Sequence, residues 1–127
     1  MEDDEIELAF DFDLDLDDIE AVKVRLKGIK SSNEIGKEEK CKRIISIQLR
    51  MLEKSPDNYR ALIDLIFTYD IMGDADKVKE YLGKIVWLES DYQVATIKLI
   101  LISHKYGEET YKNILLEKMR RYNNNRY

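Results

Sequence analysis

A single cysteine, Cys41, excludes an internal disulfide and points to a reducing compartment. A single histidine, His104, leaves no His/Cys set for a structural zinc site. One proline and five glycines are too few for a turn-rich sheet protein. No apolar run approaches the roughly twenty residues needed to cross a bilayer. The most apolar segment apart from the start, Ile97 to Ile102, is short and interrupted by Lys98, and reads as a buried helix face. The first residues are acidic, with neither a basic n-region nor an apolar h-region, so they do not read as a secretory leader. These absences favour a cytoplasmic protein, or a nuclear one if the source is eukaryotic, with no membrane role.

What is present is charge, unevenly placed. The net charge of −5 conceals an acidic arm and a basic body, because residues 1–20 hold eleven acids and no base while residues 21–127 carry a net +6. Within the arm, Ile6, Leu8, Phe10, Phe12, Leu14 and Leu16 alternate with Glu7, Ala9, Asp11, Asp13 and Asp15. A period of two predicts an extended segment over residues 1–17 with one apolar face. No second strand exists in the chain to pair with it. The arm therefore has three destinations: a groove of its own body, the sheet edge of another chain or a second copy, or disorder until bound.

Beyond the arm the spacing of apolar residues changes to three and four, which predicts an all-α domain of about six helices over residues 18–122 and a polar basic tail over 123–127. Asp17 or Asp18 caps the first helix, with Ile19, Val22, Leu26 and Ile29 as its stripe. The second runs from Lys37 to Lys54. Ser55-Pro56 reads as the start of a third that continues to Met72, where Gly73 suits a left-handed end and Asp74 caps a fourth helix reaching Glu89. Ser90 or Asp91 begins a fifth, ending at Lys105 before Gly107. A sixth spans Glu108 to Arg121 and packs through Tyr111, Ile114, Leu115, Met119 and Tyr122.

Advancing thirty-four positions matches Asp57 with Asp91, Leu65 with Leu99, Ile66 with Ile100, Gly73 with Gly107, Leu82 with Leu116 and Ile85 with Met119. This pattern resembles the tetratricopeptide repeat, a two-helix unit that stacks on its neighbours. The resemblance is strongest over residues 55–92, weaker over 93–122 and weakest over 18–54. Ser90 stands where the family often has proline and Val78 where alanine is common. A general six-helix bundle is the competing architecture.

The resemblance implies a binding face on the first helix of each pair. Its positions here are Arg60, Ile63, Phe67, Asp70 and Ile71, then Val94, Ile97, Leu101, His104 and Lys105. Ile63 and Phe67 replace the polar grips of family members that hold an acidic peptide terminus. An apolar helix or extended segment is the expected occupant, and ordinary core is the competing reading of the same residues. The arm itself could cover this groove, with Phe10, Phe12, Leu14 and Leu16 against Ile63, Phe67, Ile97 or Leu101 and with Arg60 and Lys105 beside its acids.

The residues name no reaction. Cys41 and His104 lie in distant predicted helices without an orienting partner, and no nucleotide loop or EF-hand spacing occurs. No catalytic residue, metal ligand or cofactor is assigned, and the chain reads as a non-enzyme. The basic cluster Lys118, Arg120, Arg121 and Arg126 is short within an acidic chain, which disfavours nucleic acid. A protein partner or a second copy is expected, in the role of adaptor or assembly factor. The alternatives are a structural subunit whose arm docks on a neighbour and an acidic mimic of nucleic acid that binds a basic protein.

Overall fold

The computed structural model describes residues 11–90 and 92–124. Among them are six α-helices and no strand: α1 Ile19–Ser31, α2 Lys37–Lys54, α3 Tyr59–Met72, α4 Ala75–Ile85, α5 Gln93–Lys105 and α6 Glu109–Asn124. The chain divides into two compact units between Thr68 and Tyr69, within α3. In the first unit α1 packs with α2; in the second α5 packs with both α4 and α6.

Local chemistry sets most of the helix ends. The Asp18 carboxylate accepts from the Ala21 amide at 3.1 Å and Asp74 from the Lys77 amide at 3.2 Å, each satisfying one of the orphan donors of a first turn. Gly73 and Gly107, thirty-four positions apart, both take a left-handed backbone with φ of 75° and 72°. Each sits in the same closure. Asp74 donates to the Tyr69 carbonyl and Gly73 to that of Asp70, while Glu108 donates to Ser103 and Gly107 to His104. This paired bonding ends a helix by using its last carbonyls, and the left-handed residue it needs is one that glycine adopts without strain.

Four boundaries differ from the sequence reading. α3 begins at Tyr59, because Ser55–Asn58 closes a turn (Asn58 amide to Ser55 carbonyl, 3.0 Å) with Pro56 as its second residue, and the cap is Asn58, which accepts from Ala61. α4 stops at Ile85, after which Leu88 donates back to Ile85 in a turn. α6 runs on to Asn124, so residues 123 and 124 continue the helix beyond the domain end expected at 122. α5 begins at Gln93 with Tyr92 at its cap position, because the Ser90 hydroxyl accepts from the Tyr92 amide in the turn before the helix; Asp91, the other residue expected to start it, lies outside the described residues.

The first unit has a core of Leu14, Val22, Ile29, Ile44, Ile47, Met51 and Ala61, with Leu16, Leu26 and Leu52 packed against it. Cys41 is also buried, as expected of a small apolar side chain, and burial pushes its thiol pKa up and away from reactive thiolate. In the second unit Tyr69 and Tyr81 stack nearly parallel with centroids 5.9 Å apart, joining the end of α3 to α4. Lys118 is buried. It donates to the Leu88 carbonyl at 2.6 Å, and the Tyr122 hydroxyl donates to the Ser90 carbonyl, so α6 holds the connection between α4 and α5. Desolvation lowers the Lys118 pKa, and this side chain is withdrawn from the surface cluster expected of a phosphate-binding end.

Gly83 on α4 marks a close approach. A Cβ there would stand 2.8 Å from the Tyr111 hydroxyl oxygen. Alanine would otherwise gain roughly 1 kcal/mol in helix propensity over glycine. Gly83→Ala is therefore expected to be more favourable in a Tyr111→Phe background than in the wild type, by about 0.5–1.5 kcal/mol of coupling. Urea denaturation of the four proteins of the cycle measures it; additive effects would show that the ring gives way freely.

Candidate interaction surface

Helix α5 carries aliphatic side chains on both its covered and its exposed side. Its covered side carries Thr96, Leu99, Ile102 and Ser103, while Val94, Ile97 and Leu101 remain 70%, 48% and 64% exposed. The two sets lie on nearly opposite sides, since Val94, Ile97 and Leu101 are each displaced by two residues, about 200° of helix rotation, from Thr96, Leu99 and Ser103. The Thr96 hydroxyl is satisfied by the Tyr92 carbonyl at 2.8 Å. The Ser103 hydroxyl is buried without a hydrogen-bond partner. Two polar residues thus sit inside beside Leu99 and Ile102, and three aliphatic ones face out without full cover from any described residue.

Charge on this helix has one sign. Gln93–Lys105 contains no acid, and Lys98, His104 and Lys105 are its exposed ionisable groups. A carboxylate joined to the end of the helix is Asp70, from the last turn of α3, which accepts from Lys105 Nζ at 2.8 Å and from the Tyr106 hydroxyl at 2.7 Å. Burial would raise the Asp70 pKa, but the bonds from Lys105 and Tyr106 and the lysine charge outweigh it and hold the carboxyl below its ordinary value. The same bond raises Lys105. Next to Asp70 in sequence, Ile71 is exposed. His104 is exposed, with Nδ1 3.4 Å from Lys112 Nζ.

These positions, Asp70, Ile71, Val94, Ile97, Leu101, His104 and Lys105, are the part of the expected binding face that lies in the second unit. Arg60, Ile63 and Phe67 belong to the first. Arg60 is exposed and the other two are half-buried along one side of α3. Neither Ile63 nor Phe67 is enclosed in a core.

The arm requires correction. Ile6, Leu8 and Phe10 lie outside the described residues. From Asp11 to Asp18 the chain makes two turns in place of an extended strand, closed by Leu14 donating to Asp11 and Asp18 to Asp15, both at 3.1 Å. Asp11 takes a left-handed backbone with φ of 59°, a conformation that aspartate tolerates better than most residues. The alternation is broken accordingly. Leu14 and Leu16 turn into the core of the first unit, whereas Phe12 is 71% exposed with the Arg50 guanidinium 5.6 Å from its ring centre.

The described contacts of residues 11–17 are within the first unit. The segment lies on α1 and α2, held by four basic residues that the groove hypothesis had not named. Arg25 and Arg43 bond the Asp11 carboxylate at 2.6 and 2.8 Å, Arg50 bonds its carbonyl at 3.1 Å, Arg25 also reaches Asp13 at 3.0 Å, and Lys54 pairs with Asp17. Lys105, proposed as an arm partner, is bound to Asp70.

Comparison with protein-family models, with curated proteins and with solved structures finds no match. The chain's own geometry is then the basis for a functional reading. Among the described residues no group of three or more His, Cys, Asp or Glu is placed to hold a metal ion, and no helix is long and apolar enough to cross a membrane. A shallow depression on one side of α6, lined by Thr110, Asn113, Ile114, Glu117 and Arg121, brings together no nucleophile and base.

The Asp11 contacts make a prediction about acid. Its side chain is 2% exposed. Burial raises its pKa, yet hydrogen bonds and charge from Arg43 and Arg25 bring the net value below the ordinary 3.8. A carboxylate whose folded pKa is depressed contributes stability that is complete above the unfolded value and is lost as pH falls through the folded one. Asp11→Asn keeps a residue suited to the left-handed backbone and is expected to cost about 1.5–3 kcal/mol at neutral pH. The difference from wild type should shrink as the pH drops below 3.8 towards the lowered folded value, measured by urea denaturation over a pH series.

Proposed function

We propose that this chain is a non-catalytic protein-interaction module, an adaptor or assembly factor, and that the outward face of α5 receives an apolar segment of a partner protein. The observation that carries the proposal is the exposed aliphatic stripe of α5. Exposed aliphatic side chains scattered singly need no explanation, but three at helical spacing, on a helix that buries Thr96 and Ser103 on its other side, form a face organised for contact. Covering them would contribute up to about 1.5–3 kcal/mol for each fully buried side chain, before the costs of association are subtracted.

The last two helix pairs support a reading as tetratricopeptide-like units. α3 and α5 begin thirty-four residues apart, as do α4 and α6, and both first helices end in the same glycine closure. The first pair departs from this period, its helices beginning forty and thirty-eight residues before their counterparts. On this reading α5 is the first helix of its pair, the one that lines the receiving side of such arrays. Asp70 bound to Lys105 and Tyr106 then serves as a brace that sets the end of α3 against the end of α5 and keeps the face rigid.

Leu101→Asp places a charge in the middle of the face. Because the position is 64% exposed, its effect on stability should stay within about 0.5 kcal/mol. Partner affinity is expected to fall at least tenfold, equivalent to about 1.4 kcal/mol. Affinity purification of wild type and variant, compared by the proteins recovered and accompanied by circular dichroism, reads this out. Recovery of the same proteins in the same amounts, with helicity intact, would rule the face out.

A further inference from the structure

Residues 11–17 have the character of a bound peptide. The described polar contacts that fix them to the helices come from basic side chains distant in sequence, by fourteen positions for Arg25, thirty-two for Arg43 and thirty-nine for Arg50, with Lys54 paired to Asp17. Their backbone-to-backbone bonds are local turns. The buried contacts are the Asp11 carboxylate and the side chains of Leu14 and Leu16, with the Asp11 carbonyl bonded to Arg50, while the paired carboxylates of Asp13 and Asp17, together with Phe12 and Asp15, stay at the surface.

The surface beneath is poor without an anion. Arg25 and Arg43 both reach the same Asp11 oxygen, at 2.6 and 2.8 Å, and their like charges act against one another. Two guanidiniums converging on one point form a fork for a carboxylate, and planar paired donors of this kind recognise carboxylates with directional bonds. Beside the fork lie the apolar residues Val22, Ile47 and Met51, in the cluster that takes Leu14. Charge and apolar contact are thus presented together.

We propose that this face of α1 and α2 is a recognition site for an acidic peptide segment of another protein, and that residues 11–17 occupy it as an internal stand-in for that ligand. The segment it fits carries an aspartate for the Arg25–Arg43 fork, a second acid two positions later for Arg25, and apolar residues three and five positions after the first. The site differs from the α5 face in location and chemistry and does not depend on it. The internal segment is tethered, so its effective concentration is on the order of millimolar, and an outside segment displaces it by adding contacts beyond these seven residues.

The test uses the full-length chain carrying Asp11→Asn and Leu14→Gln together, which releases the internal segment, and a fluorescein-labelled peptide of residues 11–18. Fluorescence anisotropy is expected to show the peptide bound at least tenfold more tightly by this variant than by the wild type. Binding should weaken as salt rises from about 50 to 300 mM, as exposed charge pairs do, and Arg43→Gln in the same background should lower affinity at least tenfold. Equal binding by wild type and variant, or indifference to Arg43→Gln, would overturn the proposal. Should the double variant lose its helical circular dichroism, Asp11→Asn alone replaces it, with a smaller gain expected and no gain overturning the assignment. A wild-type dimer that exchanges residues 11–17, seen by sedimentation and abolished by Asp11→Asn, would also overturn it, because the ligand would then be a second copy.

Discussion

Leu62, Leu65, Ile66, Leu82, Ile85, Leu99 and Leu115 are completely removed from solvent. Their transfer out of water, about 1.5–3 kcal/mol for each side chain, is what makes helices of this length persist, since isolated helices below about fifteen residues are marginal in water. α4 has eleven residues and α1 and α5 thirteen each. None of these would hold its shape alone. The caps at Asp18 and Asp74 and the glycine closures at Gly73 and Gly107 decide where each helix stops, while burial decides that it forms.

Departures from that rule of burial are where function is to be sought, and two of them differ in kind. On α5 the departure is an excess outside: Val94, Ile97 and Leu101 lie in water while Thr96 and Ser103 are covered. A small polar side chain inside a close helix contact is tolerable when its hydroxyl finds a carbonyl, as Thr96 does, and less so when it does not, as for Ser103. In the arm the departure is a charge inside. Asp11 is enclosed, and two guanidiniums compensate for the water it has lost.

Several features could be read from residues alone because their causes are local. The change from period two to periods of three and four separated arm from body. Asp18, Gly73, Asp74 and Gly107 announced helix ends through their own side chains or their freedom at positive φ. The stripe at Val94, Ile97 and Leu101 was identified only through resemblance to a repeat family, because its spacing fits a buried side equally well. Residues 11–17 were misread as extended because alternation describes a strand only where a neighbouring strand accepts its backbone groups. Pro56 was ambiguous for a similar reason, since the same fixed φ serves the second residue of a turn and the first residue of a helix.

Amino-acid order by itself determined an all-helical body, an acidic leading segment and the chemistry at most helix ends, because periodicity, charge and backbone preference act over a few residues. Tertiary structure alone decided that Arg25, Arg43 and Arg50 meet at Asp11, that Lys118 is buried against the Leu88 carbonyl, and that α5 leaves Val94, Ile97 and Leu101 outward while covering Leu99 and Ile102. Each of these depends on groups brought together from fourteen to thirty-nine positions apart or on which side of a helix its neighbours cover. Spacing along one helix cannot specify that, because burial is set by what packs against the helix.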